Sequence, residues 1–359
     1  MDEAELDDLT ALVPTLLQSL EVLGFVARHL NPADLYELMG AIGEPETALT
    51  EARPRLEKWP DRIADLRTAL QAASDQVLTS FDRLREAAGQ GDGIRLAYRA
   101  LRGLPLAEEA LYPFAAQLAP IGRYFLQTGV RGDAGLLERL AQGSGRDDVG
   151  VAHFDNEAGS RGGFSLYVPE TYAPDVAAPL VMALHGGGGN GRGFLWSWLR
   201  DARSRGAILI APTAIGDTWA LSGLDRDTPN LMRMLAFVSE RWNVDPKRRL
   251  LTGMSDGGTF SYVSGLEPDS PFTHLAPVAA AFHPMLAQMA DPERLSGLPI
   301  FIGHGVLDWM FPVNMAREAQ SALLAAGADV TYREIADLSH TYPQELNTEI
   351  LDWLSQTRP

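Results

Sequence analysis

Hydrophobic positions follow two different rhythms along the chain. Over residues 1 to about 145 they recur at steps of three and four. Ile63, Leu66, Leu70, Ala73, Val77, Phe81 and Leu84 share one side of a 3.6-residue spiral, which predicts a long amphipathic helix. A second helix is predicted from about Leu106 to Gln127, carrying Leu111, Tyr112, Phe114, Leu118, Ile121, Tyr124 and Phe125. Asn31-Pro32 has the form of a helix cap followed by proline at the first helical position. Gly40, Gly43, Gly89, Gly91, Gly93, Gly103, Gly129 and Gly132 punctuate further helices. The stretch from Leu16 to Leu30 is rich in Leu and Val, but Gln18, Ser19, Glu21 and Arg28 interrupt it. It reads as too short and too polar to span a bilayer.

From about residue 150 the rhythm changes to short β-rich runs alternating with helical stretches. Strands are predicted at 149–154, 163–168, 180–184, 207–210, 249–251, 277–281, 298–302 and 330–335. Leu180-Val181-Met182-Ala183-Leu184 is apolar without alternation, as expected of a strand covered on both faces of a parallel sheet. Helices are predicted between the strands, for example Pro229 to Arg241 after a Thr228 cap. The pattern predicts an α/β class: a mostly parallel, doubly wound sheet preceded by an all-α domain. The polar stretch Gly143-Ser144-Gly145-Arg146-Asp147-Asp148 marks the expected junction, giving a helical domain over 1–145 and an α/β domain over 150–359.

Composition narrows the chemistry. With 359 residues, 46% hydrophobic and 21% charged, the chain can bury a sizeable core. It has no cysteine, which removes disulfides, thiolate catalysis and thiolate metal sites together. Its formal charge of −17 repels phosphate backbones and anionic membranes, so no nucleic-acid partner is expected. The only lysines are Lys58 and Lys247, a bias without chemical meaning. The start, Met1-Asp2-Glu3-Ala4-Glu5, lacks the basic residues of a secretory signal, and a cytoplasmic protein is expected.

Four segments of the α/β half carry residues suited to nucleophilic chemistry. Gly253-Met254-Ser255-Asp256-Gly257 is a G-x-S-x-G motif between a predicted strand and a predicted helix, the context that motif requires. His185-Gly186-Gly187-Gly188-Gly189-Asn190 directly follows the strand at 180–184. Four consecutive glycines lose much conformational freedom on folding, and they make sense where backbone amides must converge on a charge. Gly186 or Gly187 would supply one oxyanion-hole amide, and Asp256, after the nucleophile, the other. A phosphate-binding reading is disfavoured, because neither a Lys-Ser or Lys-Thr pair nor a good G-x-G-x-x-G spacing follows. Asp308 lies just past the strand at 298–302, and His340 lies past the last strand. The order Ser, Asp, His is that expected of α/β-hydrolases.

His185-Gly186 with its following glycines, Gly253-x-Ser255-x-Gly257, His304-Gly305-x-x-Asp308 and Ser339-His340 together resemble the phospholipase/carboxylesterase branch of the α/β-hydrolases. That branch lies close to dienelactone hydrolases and to polyhydroxybutyrate-depolymerase-like and feruloyl esterases. The resemblance covers about residues 150 to 357. It implies the triad Ser255, Asp308 and His340, a small-molecule ester substrate, no metal and no organic cofactor. Within it His185 and His304 are structural, and Asp337 is too close to His340 to serve easily as its partner. Trp219, His283 and Trp309 are the pocket candidates among the aromatic and polar residues near strand ends, which also include Trp196, Trp198, Met310 and Phe311. The implied activity is a serine carboxylesterase for short- to medium-chain or aryl esters. Peptidases, thioesterases and lactonases use the same triad and stay open. The resemblance says nothing of residues 1–145, where core packing, a lid over the site and a homo-oligomer interface all remain open. In the last case the chain is an assembly or binding module with a passenger hydrolase.

Overall fold

The computed structural model describes residues 1–91 and 93–356, and the chain divides into two units, Met1–Gly132 and Asp133–Pro359. A capping box opens the first unit. The Asp2 carboxylate accepts from the Glu5 amide at 3.0 Å, and the Glu5 carboxylate accepts from the Asp2 amide at 2.8 Å. From this cap α1 runs without a break over Glu3–His29. Leu9, Leu12, Val13, Leu16, Leu20, Leu23 and Val26 form its buried stripe. The helix therefore extends well before the apolar segment at 16–30. Its 27 residues span about 40 Å at the usual rise. It is the one helix among the described residues long and apolar enough to cross a membrane, by length and composition only. This corrects the expectation of a segment too short, although a core helix meets the same test.

Helices α2 (Leu35–Ile42), α3 (Thr47–Ala52), α4 (Ala64–Ala88), α5 (Gly93–Ala100), α6 (Gly103–Leu111) and α7 (Ala119–Tyr124) complete this unit. The long helix α4 buries Leu66, Leu70, Ala73, Val77, Phe81 and Leu84, as its periodicity predicts. Asn31-Pro32 is a turn rather than a cap: the Asn31 side chain accepts from the Ala33 amide, and the helix starts only at Leu35. The single helix expected over 106–127 is also broken. Pro113 and Pro120 have no amide to donate, and the chain passes through a 3₁₀ turn at Tyr112–Phe114 before α7.

The second unit begins with α8 (Ala134–Gly143), capped by the Asp133 side chain on the Leu136 amide. The expected junction at 143–148 thus lies inside this unit. The reason is close packing: a Cβ on Gly143 would sit 1.7 Å from the Glu170 carbonyl oxygen. Among the described residues eight strands follow: β1 (Gly150–Phe154), β2 (Phe164–Val168), β3 (Ala178–Leu184), β4 (Ile208–Pro212), β5 (Val244–Met254), β6 (His274–Val278), β7 (Pro299–Gly305) and β8 (Asp329–Ile335). They form one sheet in the order β1-β2-β4-β3-β5-β6-β7-β8. The pairs β1–β2 and β2–β4 are antiparallel, and the pairs from β4 through β8 are parallel. Residues 180–184 of β3 are all buried, which explains the unbroken apolar run.

Helices α9 (Gly191–Phe194), α10 (Trp196–Arg205), α11 (Asp227–Ser239), α12 (Asp256–Gly265), α13 (Met285–Met289), α14 (Pro292–Leu295), α15 (Asn314–Ala325) and α16 (Glu345–Gln356) connect or follow the strands. Two boundaries differ from expectation. Strand β6 lies three residues earlier than predicted, because Ala279 turns to φ 46° and stops it. Helix α11 is capped by the Asp225 side chain, not by Thr228: the Asp225 carboxylate accepts from the amides of Asp227 and Thr228. The parallel strands β3, β5, β6, β7 and β8 all end at one edge of the sheet, where open α/β sheets place their ligands.

Candidate active site

Strand β5 ends at Met254 and α12 starts at Asp256, which leaves Ser255 alone between them. Its backbone is left-handed, with φ 57° and ψ −120°. A non-glycine residue held there stores about 1–3 kcal/mol of strain. Two glycines make so sharp a turn sterically feasible. A Cβ on Gly253 would lie 2.5 Å from the Gly257 carbonyl carbon, and one on Gly257 would lie 2.4 Å from the Leu184 carbonyl oxygen. The Ser255 amide donates to Val278 at 3.0 Å, tying the turn to the end of β6.

The strained turn holds the Ser255 hydroxyl 2.9 Å from His340 Nε2. On the other side of that ring, Nδ1 lies 2.8 Å from Asp308 Oδ2. The second carboxylate oxygen of Asp308 accepts from the amides of Met310 and Phe311 at 2.9 and 2.7 Å. With Nδ1–H given to Asp308, His340 Nε2 is left to accept from the serine. The loops bearing Asp308 and His340 are joined by backbone bonds from Val306 to Ile335 and from Leu307 to Leu338. All three side chains are buried, at 7% exposure for Ser255, 6% for Asp308 and 4% for His340.

The fold is that of the α/β-hydrolases. In this hydrolase-fold unit the sharp strand–serine–helix turn sits at the carboxyl edge of a mostly parallel sheet, and Asp308 and His340 follow β7 and β8. His340 is bonded to Asp308, whereas Asp337 is exposed. His304 Nε2 lies 2.8 Å from the Phe311 carbonyl, so that histidine braces the turn carrying Asp308. Burial pushes the His304 pKa down.

The glycine loop is fixed from below by His185. Its Nε2 accepts from the Ala214 amide at 3.1 Å, which puts the proton on Nδ1, 2.7 Å from the Gly186 carbonyl. Burial lowers the His185 pKa to about 4, so the ring is neutral near pH 7. The Gly188 amide donates to Asp217, and the Gly189 amide donates to Gly186. Among the described residues the amides of Gly186 and Gly187 carry no such bond. A Cβ on Gly186 would lie 3.5 Å from the Ser255 Cβ, so this loop borders Ser255. Asp256, the first residue of α12, has an amide with no partner within the helix.

The pocket candidates separate. Trp219 is buried, donates its indole N–H to the His185 carbonyl at 2.7 Å and stacks on Phe260. It is core beneath the glycine loop, which corrects its assignment as a pocket residue. His283 is exposed and accepts from the Met285 amide at 3.2 Å, as a local turn contact. Trp309 is 46% exposed with its ring 6.4 Å from that of His340, and Phe311 meets the same imidazole edge-on at 5.2 Å. Two further residues went unnoticed in the sequence. Arg161 bonds the carbonyls of Gly189 and Gly216, and Thr218 donates to the Asp256 carboxylate at 2.5 Å. Neither sits in a recognisable motif.

No family model matches the chain. A curated relative, a bifunctional acetylxylan esterase/xylanase from Neocallimastix patriciarum, is 28% identical over 163 residues, 44% of this chain. The match spans only 23% of that relative's length. Among solved structures, a thermostable esterase superposes with a TM-score of 0.48 at 21% identity, over 59% of this chain and 64% of that one. A ferulic acid esterase superposes with a TM-score of 0.49 at 16% identity, over 57% and 96%.

Proposed function

We propose that the hydrolase-fold unit is a serine carboxylesterase that cleaves esters through an acyl-enzyme on Ser255. One observation carries this reading: the continuous relay from Ser255 Oγ through His340 to Asp308, set on a strained turn. His340 takes the serine proton as Oγ attacks the ester carbonyl, then delivers it to the departing alkoxide. Asp308 holds the ring orientation and stabilises the imidazolium that forms. The amides of Asp256 and of Gly186 or Gly187 receive the oxyanion. Water then repeats the attack on the acyl-enzyme, and alcohol and carboxylic acid leave in turn.

The acidic surface favours neutral substrates over anionic ones. Trp309 and Met310, both substantially exposed and adjacent to Asp308 in the chain, offer apolar surface for an aryl or short- to medium-chain group. The esterase half of the curated relative's name agrees with ester cleavage.

The test is hydrolysis of a p-nitrophenyl short-chain ester by the parent and by Ser255→Ala. The variant is expected to lose about 10⁴-fold or more in kcat. A variant as fast as the parent refutes the serine mechanism. A panel of matched ester, thioester, lactone and aminoacyl amide substrates then ranks the acyl groups accepted, and preference for the amide refutes the esterase assignment.

A further inference from the structure

We infer that Arg161 is a positioning residue for the oxyanion loop, clamping the four-glycine segment to the neighbouring loop after β4. This rests on the proposed serine mechanism.

A run of four glycines has more conformations open to it than any other tetrapeptide, so its geometry must be imposed by neighbours. The loop's own contacts fix its base. The Gly186 carbonyl is held by His185 Nδ1 at 2.7 Å and by the Gly189 amide at 3.0 Å. Because the peptide is trans and planar, this turns the Gly187 N–H away from those two donors. The orientation of that amide is therefore only as secure as the Gly186–Gly189 turn.

Arg161 secures the far end of that turn. It lies in the connection between β1 and β2, immediately before Gly162-Gly163. One guanidinium nitrogen donates to the Gly189 carbonyl at 2.8 Å, and another donates to the Gly216 carbonyl. The loop that contains Gly216 bonds the oxyanion machinery at four other points. Ala214 donates to His185 Nε2, the Asp217 carbonyl receives the Gly188 amide, Trp219 donates to the His185 carbonyl, and Thr218 donates to the Asp256 carboxylate. The planar fork of an arginine spans two carbonyls at once, which a lysine point charge does not do with fixed geometry.

No carboxylate pairs with Arg161 among the described residues. Its hydrogen bonds go to backbone carbonyls instead, and one is to the glycine loop itself. Its positive charge also helps keep His185 neutral, secondary to burial. A neutral His185 retains the acceptor at Nε2 that the Ala214 amide needs.

The test uses the full chain and two variants, Arg161→Met and Arg161→Lys, with p-nitrophenyl acetate as substrate and an aryl boronic acid as mimic of the tetrahedral intermediate. Loss of an ordered oxyanion donor lowers kcat by about 10²–10³-fold, so partial disorder predicts a fall of about 10–100-fold in Arg161→Met. Arg161→Lys is expected to fall less, keeping charge and one bond. KM is expected to stay within about threefold in both, since ground-state binding does not use the hole. Boronate affinity is expected to weaken in step with kcat. Either variant keeping parental kcat and boronate affinity overturns the inference, as does a loss confined to KM. If the parent itself hydrolyses no ester and is not labelled by a fluorophosphonate, the serine mechanism fails first. Parental activity with insensitive variants refutes only the role of Arg161.

Discussion

The two units solve the backbone problem differently. In the helical unit the main chain closes its own hydrogen bonds within helices, and no described non-glycine residue has a positive φ. In the hydrolase-fold unit three do: Asp155 at 48°, Ser255 at 57° and Ala279 at 46°. Ser255 is the candidate nucleophile, and Ala279 ends β6 just after the carbonyl that anchors the Ser255 amide. Strain persists only where surroundings over-determine it. Here those surroundings are glycines packed on carbonyls and a set of amide anchors. The difference teaches where to look for chemistry: in the unit that holds a side chain in a conformation its backbone disfavours.

The largest expected effect tests whether the chemistry belongs to that unit alone. Asp308→Asn preserves shape but removes the charge and favours the wrong imidazole tautomer. It is expected to lower kcat by about 10³–10⁴-fold with a near-parental melting temperature. Steady-state kinetics beside a thermal melt check this, and a kcat within tenfold of the parent breaks the assignment of Asp308.

A substitution in the other unit should do the reverse. Leu16 is fully buried on α1, and Leu16→Ala is expected to destabilise the protein by about 2–5 kcal/mol. The activity per folded molecule is expected to hold. Urea unfolding with activity measured on the folded fraction is the check, and a large loss of kcat would show that the contrast is overdrawn.

The smallest effect is a pH slope. Burial holds His185 and His274 to a pKa of about 4, below the ordinary value of 6.5. The unfolded chain then binds more protons between those values, so stability is complete above about pH 6.5 and falls as pH drops towards 4. Unfolding at pH 7, 6 and 5 is expected to show the decline, with a shallower slope in His274→Gln. A parallel slope in that variant removes His274 from the explanation.

How much was legible in the sequence depended on whether the determinant was local. The periodicity of α4 and the close approach of Gly253 to Gly257 respond to neighbours a few residues away. The apolar run of β3 and Gly257, which packs on the carbonyls of Leu184 and His185, could also be read because burial and a close backbone approach each restrict residue type. The strand–serine–helix turn was legible because few residues other than glycine fit where carbonyl groups approach so closely. The prolines that break the helix expected over 106–127 were visible, but the apolar periodicity outweighed them. Trp219 looked like a pocket residue because its loop follows a strand, while the indole bond to His185, 34 residues away, could not be seen. Arg161 was illegible for the same reason. Its partners are backbone carbonyls 28 and 55 residues distant, and backbone acceptors leave no signature in residue type.

The central claim is that Ser255 is a nucleophile made reactive by its strained turn and its His340–Asp308 relay. The most direct measurement is reaction of the full chain with a fluorophosphonate, followed by mass spectrometry of the intact protein and of its peptides. The account predicts a single adduct, on Ser255, that is absent in Ser255→Ala and much slower to form in Asp308→Asn. No adduct on the folded parent, or an adduct on another residue that survives in Ser255→Ala, would contradict it.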